Sequence, residues 1–359
     1  MPLHCLSKGA NISAMIEVSR RPSFAQRLAE HLRRNLLWYS LVAILLGWGL
    51  GVMEAGWIRA ERGVLKTAAQ GLVFLMIYPM MVNLNLELLP RVAREPKPVL
   101  LSLFYNFALT PLIAIVLVFA FVHHPELALG FFLVMLIPGS SMAVGYTGLA
   151  GGSLEVATLT QAVNFLLVPL VLPLYLALLA HGYRVQVPIA MLLWTILLVL
   201  ILPMFLGDLT RRAVLRRFGK EGFLHLKPWL GSATMLTMLL LVGLIFAMKG
   251  EALLQKGAVL LPVILASLLY LAIALPLITW LDKKNGLSYA EHIGVAFVSS
   301  GKNNGTAIAI AVTAMNPMVA LPAAILPLIQ IVALIGYLNL APRIRAYFGE
   351  DAAPPRRKE

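Results

Sequence analysis

Ten apolar stretches, each about as long as a bilayer is thick, leave this chain little choice of fold. They run over 35–53, 67–86, 99–122, 127–149, 155–180, 187–207, 229–248, 258–281, 289–315 and 319–340. A helix crosses the hydrocarbon core in about 20 residues. Lipid offers no partner for a backbone N–H or C=O, so each stretch must satisfy its own as a helix. At 60% hydrophobic and 13% charged residues, with a mean hydropathy of +0.86, the chain of 359 residues is too apolar for a soluble globule. It is read as an all-α integral membrane protein with no room for a separate soluble domain.

A net charge of +13 raises the question of nucleic acid. Basic residues in such a chain are first tested as topology signals. With the amino terminus inside, the leading segment, 85–98, 208–228, 281–288 and the carboxyl end hold 22 Lys and Arg, the opposite loops hold six, and Lys302 completes the 29. Both termini are therefore expected in the cytoplasm, at an inner (plasma) membrane, and no nucleic acid is needed. Cys5, the one cysteine, lies outside the spans. Residues 1–34 lack the apolar core of a secretory signal. Met15 is an alternative start, and Arg20 to Arg34 is expected to form a basic interfacial helix.

Two of the spans are interrupted. The ninth contains Ser299-Ser300-Gly301-Lys302-Asn303-Asn304-Gly305-Thr306 between apolar flanks, and the fourth contains Ile137-Pro138-Gly139-Ser140-Ser141. Glycine, serine and asparagine are poor helix formers, so both read as unwound segments lining a polar cavity. The basic stretch from Arg211 to Lys227 is expected as a cytoplasmic loop, part of 181–228 with the sixth span. Five spans in 35–180 precede five in 187–340, ahead of a basic tail at 341–359. An odd number per half inverts the second repeat, and the break falls in the fourth span of each. Interruptions at corresponding positions point to a transporter's site.

Half-helix amino termini present unpaired N–H groups and positive dipole ends. Lys302 adds a charge whose insertion costs roughly 2.5–3.5 kcal/mol. Together they favour an anionic ligand or replace a bound cation; a lysine snorkelling to an interface is the bland alternative. The candidate substrate or ion site is Lys302, Asn303, Asn304, Ser299, Ser300 and Thr306 from the ninth span, with Ser140 and Ser141 from the fourth. Thr160 and Asn164, four apart on one face of the fifth span, join it, with Asn106 from the third and Gln330 from the tenth. Gly47 and Gly51 allow close helix approach, within the monomer or in a dimer. No catalytic constellation, metal site or cofactor is expected. His123-His124 sits in a short outer loop; the spans show no His pair, carboxylate dyad or nucleophile elbow, and no carboxylate counter-ion for a retinal Schiff base.

Phe74 to Met81, Glu87-Leu88-Leu89-Pro90, Asn106, Pro138-Gly139, Asn303-Asn304 with Ala307-Ile308-Ala309, and Pro327-Leu328-Ile329-Gln330 resemble the arsenite efflux permeases, a family joined in one superfamily with the bile acid:sodium symporters. The resemblance implies ten spans in inverted repeats. Discontinuous spans four and nine would cross in a core domain that moves against a panel of spans one, two, six and seven. The chain departs from both branches. Where the permeases carry a cysteine and a glutamate it has Pro138-Gly139-Ser140 and Gly305-Thr306; the symporters' sodium-ligand Ser-Asn pair falls near Ala143 and Val144, and their ninth-span acid near Ser299.

The expected function is secondary transport of a small anionic or polar organic solute by alternating access, sodium-independent, with Lys302 in place of a coupling cation. The partners are that solute and the bilayer, in a monomer or homodimer. Metalloid efflux, sodium-coupled organic-anion symport and, from another class, a receptor or retinal-type pigment stand as alternatives.

Overall fold

The computed structural model describes residues 23–94, 96–139, 141–183 and 189–350. All regular structure among them is helical. Helices α1 (Phe24–Arg34), α2 (Leu36–Met53) and α3 (Arg62–Asn83) lead into α4 (Pro96–Phe104), which continues through a π-helical turn at Tyr105–Leu109 into α5 (Thr110–Phe121). After α6 (Pro125–Leu136) and α7 (Ser141–Leu149) come α8 (Leu154–Tyr183), α9 (Ile189–Ile196), α10 (Leu202–Lys256) and α11 (Leu261–Lys284). The chain closes with α12 (Tyr289–Ser300), α13 (Asn304–Ala314), α14 (Pro317–Asn339) and α15 (Ala341–Tyr347).

Among the described residues, seven helical stretches are long and apolar enough to cross a membrane: Leu36–Met53, Arg62–Asn83, Pro96–Phe121, Leu154–Leu178, Ala190–Gln255, Gly257–Lys284 and Pro317–Asn339. The fourth and ninth apolar stretches of the sequence are missing from that set because each is cut in two. Ile137, ahead of Pro138, is extended at φ −93°, ψ 116°, as proline's ring requires of the residue before it. In the other break Gly301 is extended at φ −73°, ψ 124°, and the Asn303 side chain accepts from the Thr306 N–H to start α13.

The basic stretch from Arg211 to Lys227 is helical, not the irregular loop expected from its charge. Arg, Lys, Leu and Glu are good helix formers; the chain leaves helical geometry only at Gly219, at φ 66°, ψ −173°. Gly207 lies against the Met81 and Val82 backbone, and Thr234 donates to the Met76 carbonyl at 3.4 Å. Residues on both sides of Gly219 thus touch the same end of α3, so the stretch Ala190–Gln255 doubles back there.

The amino-terminal basic helix is present as α1, started by a capping box between Ser23 and Gln26. It buries Ala25, Ala29 and Leu32 and keeps Phe24 exposed against Trp229. Gly47 and Gly51 on α2 pack inside the monomer: a Cβ on either would fall 2.1 Å from the Gly243 carbonyl oxygen or 2.3 Å from that of Ala247.

The two breaks cross. Gly139 donates its N–H to the Val298 carbonyl at 2.9 Å, and Asn303 donates to the Ile137 carbonyl at 3.5 Å. Each break therefore satisfies backbone groups that the other has freed. The contact is close enough that a Cβ on Gly139 would sit 2.7 Å from the Val298 oxygen and 2.8 Å from the Gly301 oxygen. Backbone atoms cannot yield as a flexible side chain can. Gly139→Ala is expected to cost about 1–3 kcal/mol through overpacking, read as a lowered melting temperature of purified protein. Gly49→Ala, at a position with open space around it, should melt like the unchanged protein.

Candidate functional site

Unwinding at Gly301–Asn303 puts the whole of Lys302 inside the protein, at 1% exposure. Its main chain is clamped by Gln330 of α14: the Lys302 N–H donates to Gln330 Oε1 at 2.7 Å, and Gln330 Nε2 donates to the Lys302 carbonyl at 3.3 Å. Its side chain points into the helix bundle and does not snorkel. Nζ donates to Asn106 Oδ1 at 3.1 Å and lies 5.6 Å from the centre of the Tyr270 ring. That distance is within the range of a cation–π contact.

Neutral oxygens and amides surround this position. Asn106, in the π-helical turn, donates Nδ2 to the Ser102 carbonyl at 3.0 Å and to Ser299 Oγ at 3.2 Å. Asn164 Nδ2 donates to Ser102 Oγ at 2.8 Å and to the Thr160 carbonyl at 2.7 Å. Ser102 and Ser299 hydroxyls meet at 3.3 Å. Tyr270 OH reaches both Thr110 Oγ1 at 3.1 Å and the Ser299 carbonyl at 3.4 Å. Gln161 ties the fifth apolar stretch to the other break by donating Nε2 to the Gly139 carbonyl at 3.1 Å.

Ser299, Lys302, Asn106, Asn164 and Gln330 are therefore joined in one buried network. Ser300 and Thr160 are buried beside it but turn their hydroxyls onto their own helices, at the Ala296 carbonyl and at those of Val156 and Ala157. Asn303 donates Nδ2 to Met80 Sδ at 3.2 Å, and Thr306 Oγ1 lies 3.9 Å from the same sulfur. Asn304 buries its Oδ1 without a partner among the described residues. Ser140 lies outside the described residues; Ser141 opens α7.

Beside the unwound segment is a cavity of about 120 Å³, bounded by Lys302, Asn303, Asn304 and Gly305, with Met76 and Met80 of α3, Met142 of α7, and Thr234, Met235 and Met238 of α10. Arg33 of α1 also lines it, so a second cation stands at a wall that is otherwise rich in thioethers. Such side chains adapt their shape to a ligand more readily than branched ones. A larger cavity of about 350 Å³, lined by Gly51, Arg59, Arg62, Lys249 and Glu251, holds none of the candidate substrate or ion-site residues.

The structure corrects one expectation: a carboxylate does lie within the apolar helices. Asp282 on α11 is wholly buried, bonded to Tyr105 and His292. In the sequence it falls one residue beyond the apolar stretch ending at 281 and precedes Lys283-Lys284, the pattern of a membrane-surface turn. Ser102, Tyr105 and Tyr270 were also missed, since one hydroxyl in an apolar helix carries little signal.

Residues 71–256, just over half of the chain, match the Sodium Bile acid symporter family. The chain belongs to that family. A Bacillus subtilis relative in this superfamily, described as the uncharacterized sodium-dependent transporter YocS, is 24% identical over 251 residues, covering 70% of this chain and 75% of its own. The arsenical-resistance protein Acr3 of Corynebacterium glutamicum is 22% identical over 302 residues, covering 80% of this chain and 79% of its own. As a member of the Sodium Bile acid symporter family, the protein is a membrane transporter.

A hydrogen bond to a charged group is worth roughly 1.5–3 kcal/mol, and Asn106→Leu should destabilise the protein by about that much. Lys302→Met in the Asn106→Leu background should cost less than Lys302→Met alone, because the amine has already lost its acceptor. Additive effects on the unfolding free energy would show that the two side chains are not coupled.

Proposed function

We propose that the protein is a sodium-independent secondary transporter of a small anionic or polar organic solute, working by alternating access, in which protonated Lys302 occupies the place of a coupling cation. The observation that carries this reading is Lys302 Nζ against Asn106 Oδ1 and the Tyr270 ring, in a network whose other members are neutral. A sodium ion about 4 Å from that ammonium would be repelled by about 4 kcal/mol at an effective dielectric of 20. The bond to Asn106 supplies the fixed charge with an oxygen that a mobile ion would otherwise need.

In this reading the ten apolar stretches form two inverted five-helix repeats, 35–180 and 187–340, flanked by a 1–34 segment and a 341–359 tail. Both termini lie in the cytoplasm, as the excess of basic residues favours. The spans carrying the breaks belong to the moving core, and the first, second, sixth and seventh form the panel. The methionine-lined cavity, which Arg33 and Leu36 also line, then faces the cytoplasm. Asn303, Asn304 and Thr306 offer amides, hydroxyl and the α13 amino terminus to the polar end of the solute. Ser299, Asn106, Asn164 and Gln330 hold Lys302 in place. Ser300 and Thr160 close the network around it, and Ser140 and Ser141 flank the fourth-span break.

A thermal-shift screen of purified protein against small organic anions tests this. At least one anion is expected to raise the melting temperature equally in sodium and potassium salts, and Lys302→Met is expected to lose that response. A tenfold dependence of the apparent affinity on sodium would contradict the reading. The Acr3 relative favours a second reading, metalloid efflux through the same thioether-lined cavity. Growth on arsenite separates the two: expression in an arsenite-sensitive host should give no resistance if the solute is an organic anion.

A further inference from the structure

Away from the Lys302 network lies a second buried cluster, on the side where α11 turns into α12. Asp282 and His292 are both wholly buried and bonded to each other, Oδ2 to Nδ1, at 2.7 Å. Tyr105 donates to Asp282 Oδ1 at 2.7 Å, His292 Nε2 meets Tyr337 OH at 2.8 Å, Tyr337 OH meets Thr279 Oγ1 at 2.7 Å, and Thr279 donates to the Leu275 carbonyl at 2.7 Å. Phe348 stacks on the imidazole at 4.7 Å and covers it.

The hydrogens in this chain of contacts can be counted. Each tyrosine and the threonine carries one O–H, a neutral imidazole carries one N–H, and a carboxylate carries none. Five contacts, Tyr105–Asp282, Asp282–His292, His292–Tyr337, Tyr337–Thr279 and Thr279–Leu275, then have four hydrogens between them. Thr279 gives its hydrogen to Leu275, so Tyr337 must give its own to Thr279. His292 Nε2 must then donate to Tyr337, which leaves the contact between Nδ1 and Asp282 without a hydrogen. One added proton makes every contact a hydrogen bond.

We propose that the Asp282–His292 pair is a proton-binding site of this transporter, and that the structure is its protonated form. The proton resides on His292, the more basic group in water, and the imidazolium donates to Asp282 on one side and Tyr337 on the other. Releasing it leaves the pair with one net negative charge in a buried setting, which is costly unless the surroundings rearrange. The nearest link outward is Tyr105, whose chain neighbour Asn106 holds Lys302. Proton loss is thereby connected to the helix break that borders the cavity. Ionisable groups in spans mark proton relays in pumps and transporters.

The other titratable groups nearby have partners of their own. Lys283 donates Nζ to the Tyr347 carbonyl, Lys284 lies over the Trp280 ring, and Glu291 caps Ser288. Arg345 of α15 lies over Tyr289, whose N–H donates to Glu350, and Glu155 of α8 pairs with Arg91. Tyr146 of α7 stacks on Phe297, and Lys97 of α4 approaches the Gly286 turn.

This inference rests on the alternating-access reading, and its test separates the two. Full-length protein in lipid nanodiscs, labelled with ¹⁵N-histidine and assigned with His292→Gln, is titrated between about pH 5 and pH 8, the range in which histidines change charge. His292 is expected to carry protons on both nitrogens at the acid end and to lose one toward the alkaline end. In a Cys5→Ser background, a cysteine replacing Gly231, which lines the methionine-rich cavity, should change its maleimide-labelling rate several-fold with the same midpoint (Gly231→Cys). Asp282→Asn should flatten that profile. Tyr337→Phe, which keeps the packing but removes the acceptor, should alter the profile. His292 singly protonated throughout, or an Asp282→Asn profile matching the unchanged protein, would overturn the proton site. A Gly231→Cys rate that responds to a small organic anion but not to pH would leave alternating access standing and remove the proton site alone. A rate that responds to neither would count against both.

Discussion

Two helices that stop in the middle of an apolar bundle leave backbone N–H and C=O groups with no water to turn to, and each such group is costly unless it finds a partner. In this protein the breaks supply one another. The Gly139 N–H meets the Val298 carbonyl, and the Asn303 N–H meets that of Ile137. Side chains complete the seal: Gln161 takes the Gly139 carbonyl, Gln330 brackets both backbone groups of Lys302, and Asn303 caps α13. Pro138 ends one helix and Gly139 permits the approach, so the contact is written into a few residues. A site held by reciprocal backbone bonds can separate and re-form as a unit, which suits the alternating access proposed for this transporter.

Lys302 is placed by the same contact. Its main chain is fixed by Gln330, which leaves its amine one direction to go, into the space between Asn106 and Tyr270. A charge with so few partners is expensive. What holds it is the arrangement of Ser102, Ser299 and Asn164, which orients the Asn106 amide so that its oxygen faces the amine. The cavity next to it is walled differently, by thioethers with Arg33 at one edge. The fixed charge and the adaptable surface are separated by the unwound backbone of 302–304. Under the proposed function, that separation lets one residue serve as a structural cation while its neighbours meet a solute.

Much of this was legible in the sequence, because the constraints of a bilayer are severe. Apolar length gave the helices. The two breaks stood out because Pro138-Gly139 and Gly301-Lys302-Asn303 are the residues that a lipid-embedded helix excludes. Asn106, Asn164 and Gln330 were found because an amide in an apolar run demands a partner. What the sequence hid were features of three-dimensional closure. The helical state of Arg211 to Lys227 was obscured because charge signals a membrane boundary but not whether its backbone is coiled. Asp282 and His292 were hidden because each sits near the end of its helix, where charged residues ordinarily face solvent. Phe348, just past the carboxyl-terminal helix, stacks on His292, and Tyr105 and Tyr337 close on the pair from other helices. Ser300 and Thr160 look like site residues by spacing, yet their hydroxyls close onto their own helices.

The central claim is that Lys302 takes the place of a bound cation, and equilibrium binding of radioactive sodium to purified protein measures it directly. The account predicts no saturable sodium binding to the unchanged protein and the appearance of a saturable site when Lys302→Ala vacates the pocket beside Asn106 and Ser299. Saturable, stoichiometric sodium binding with Lys302 in place would contradict it.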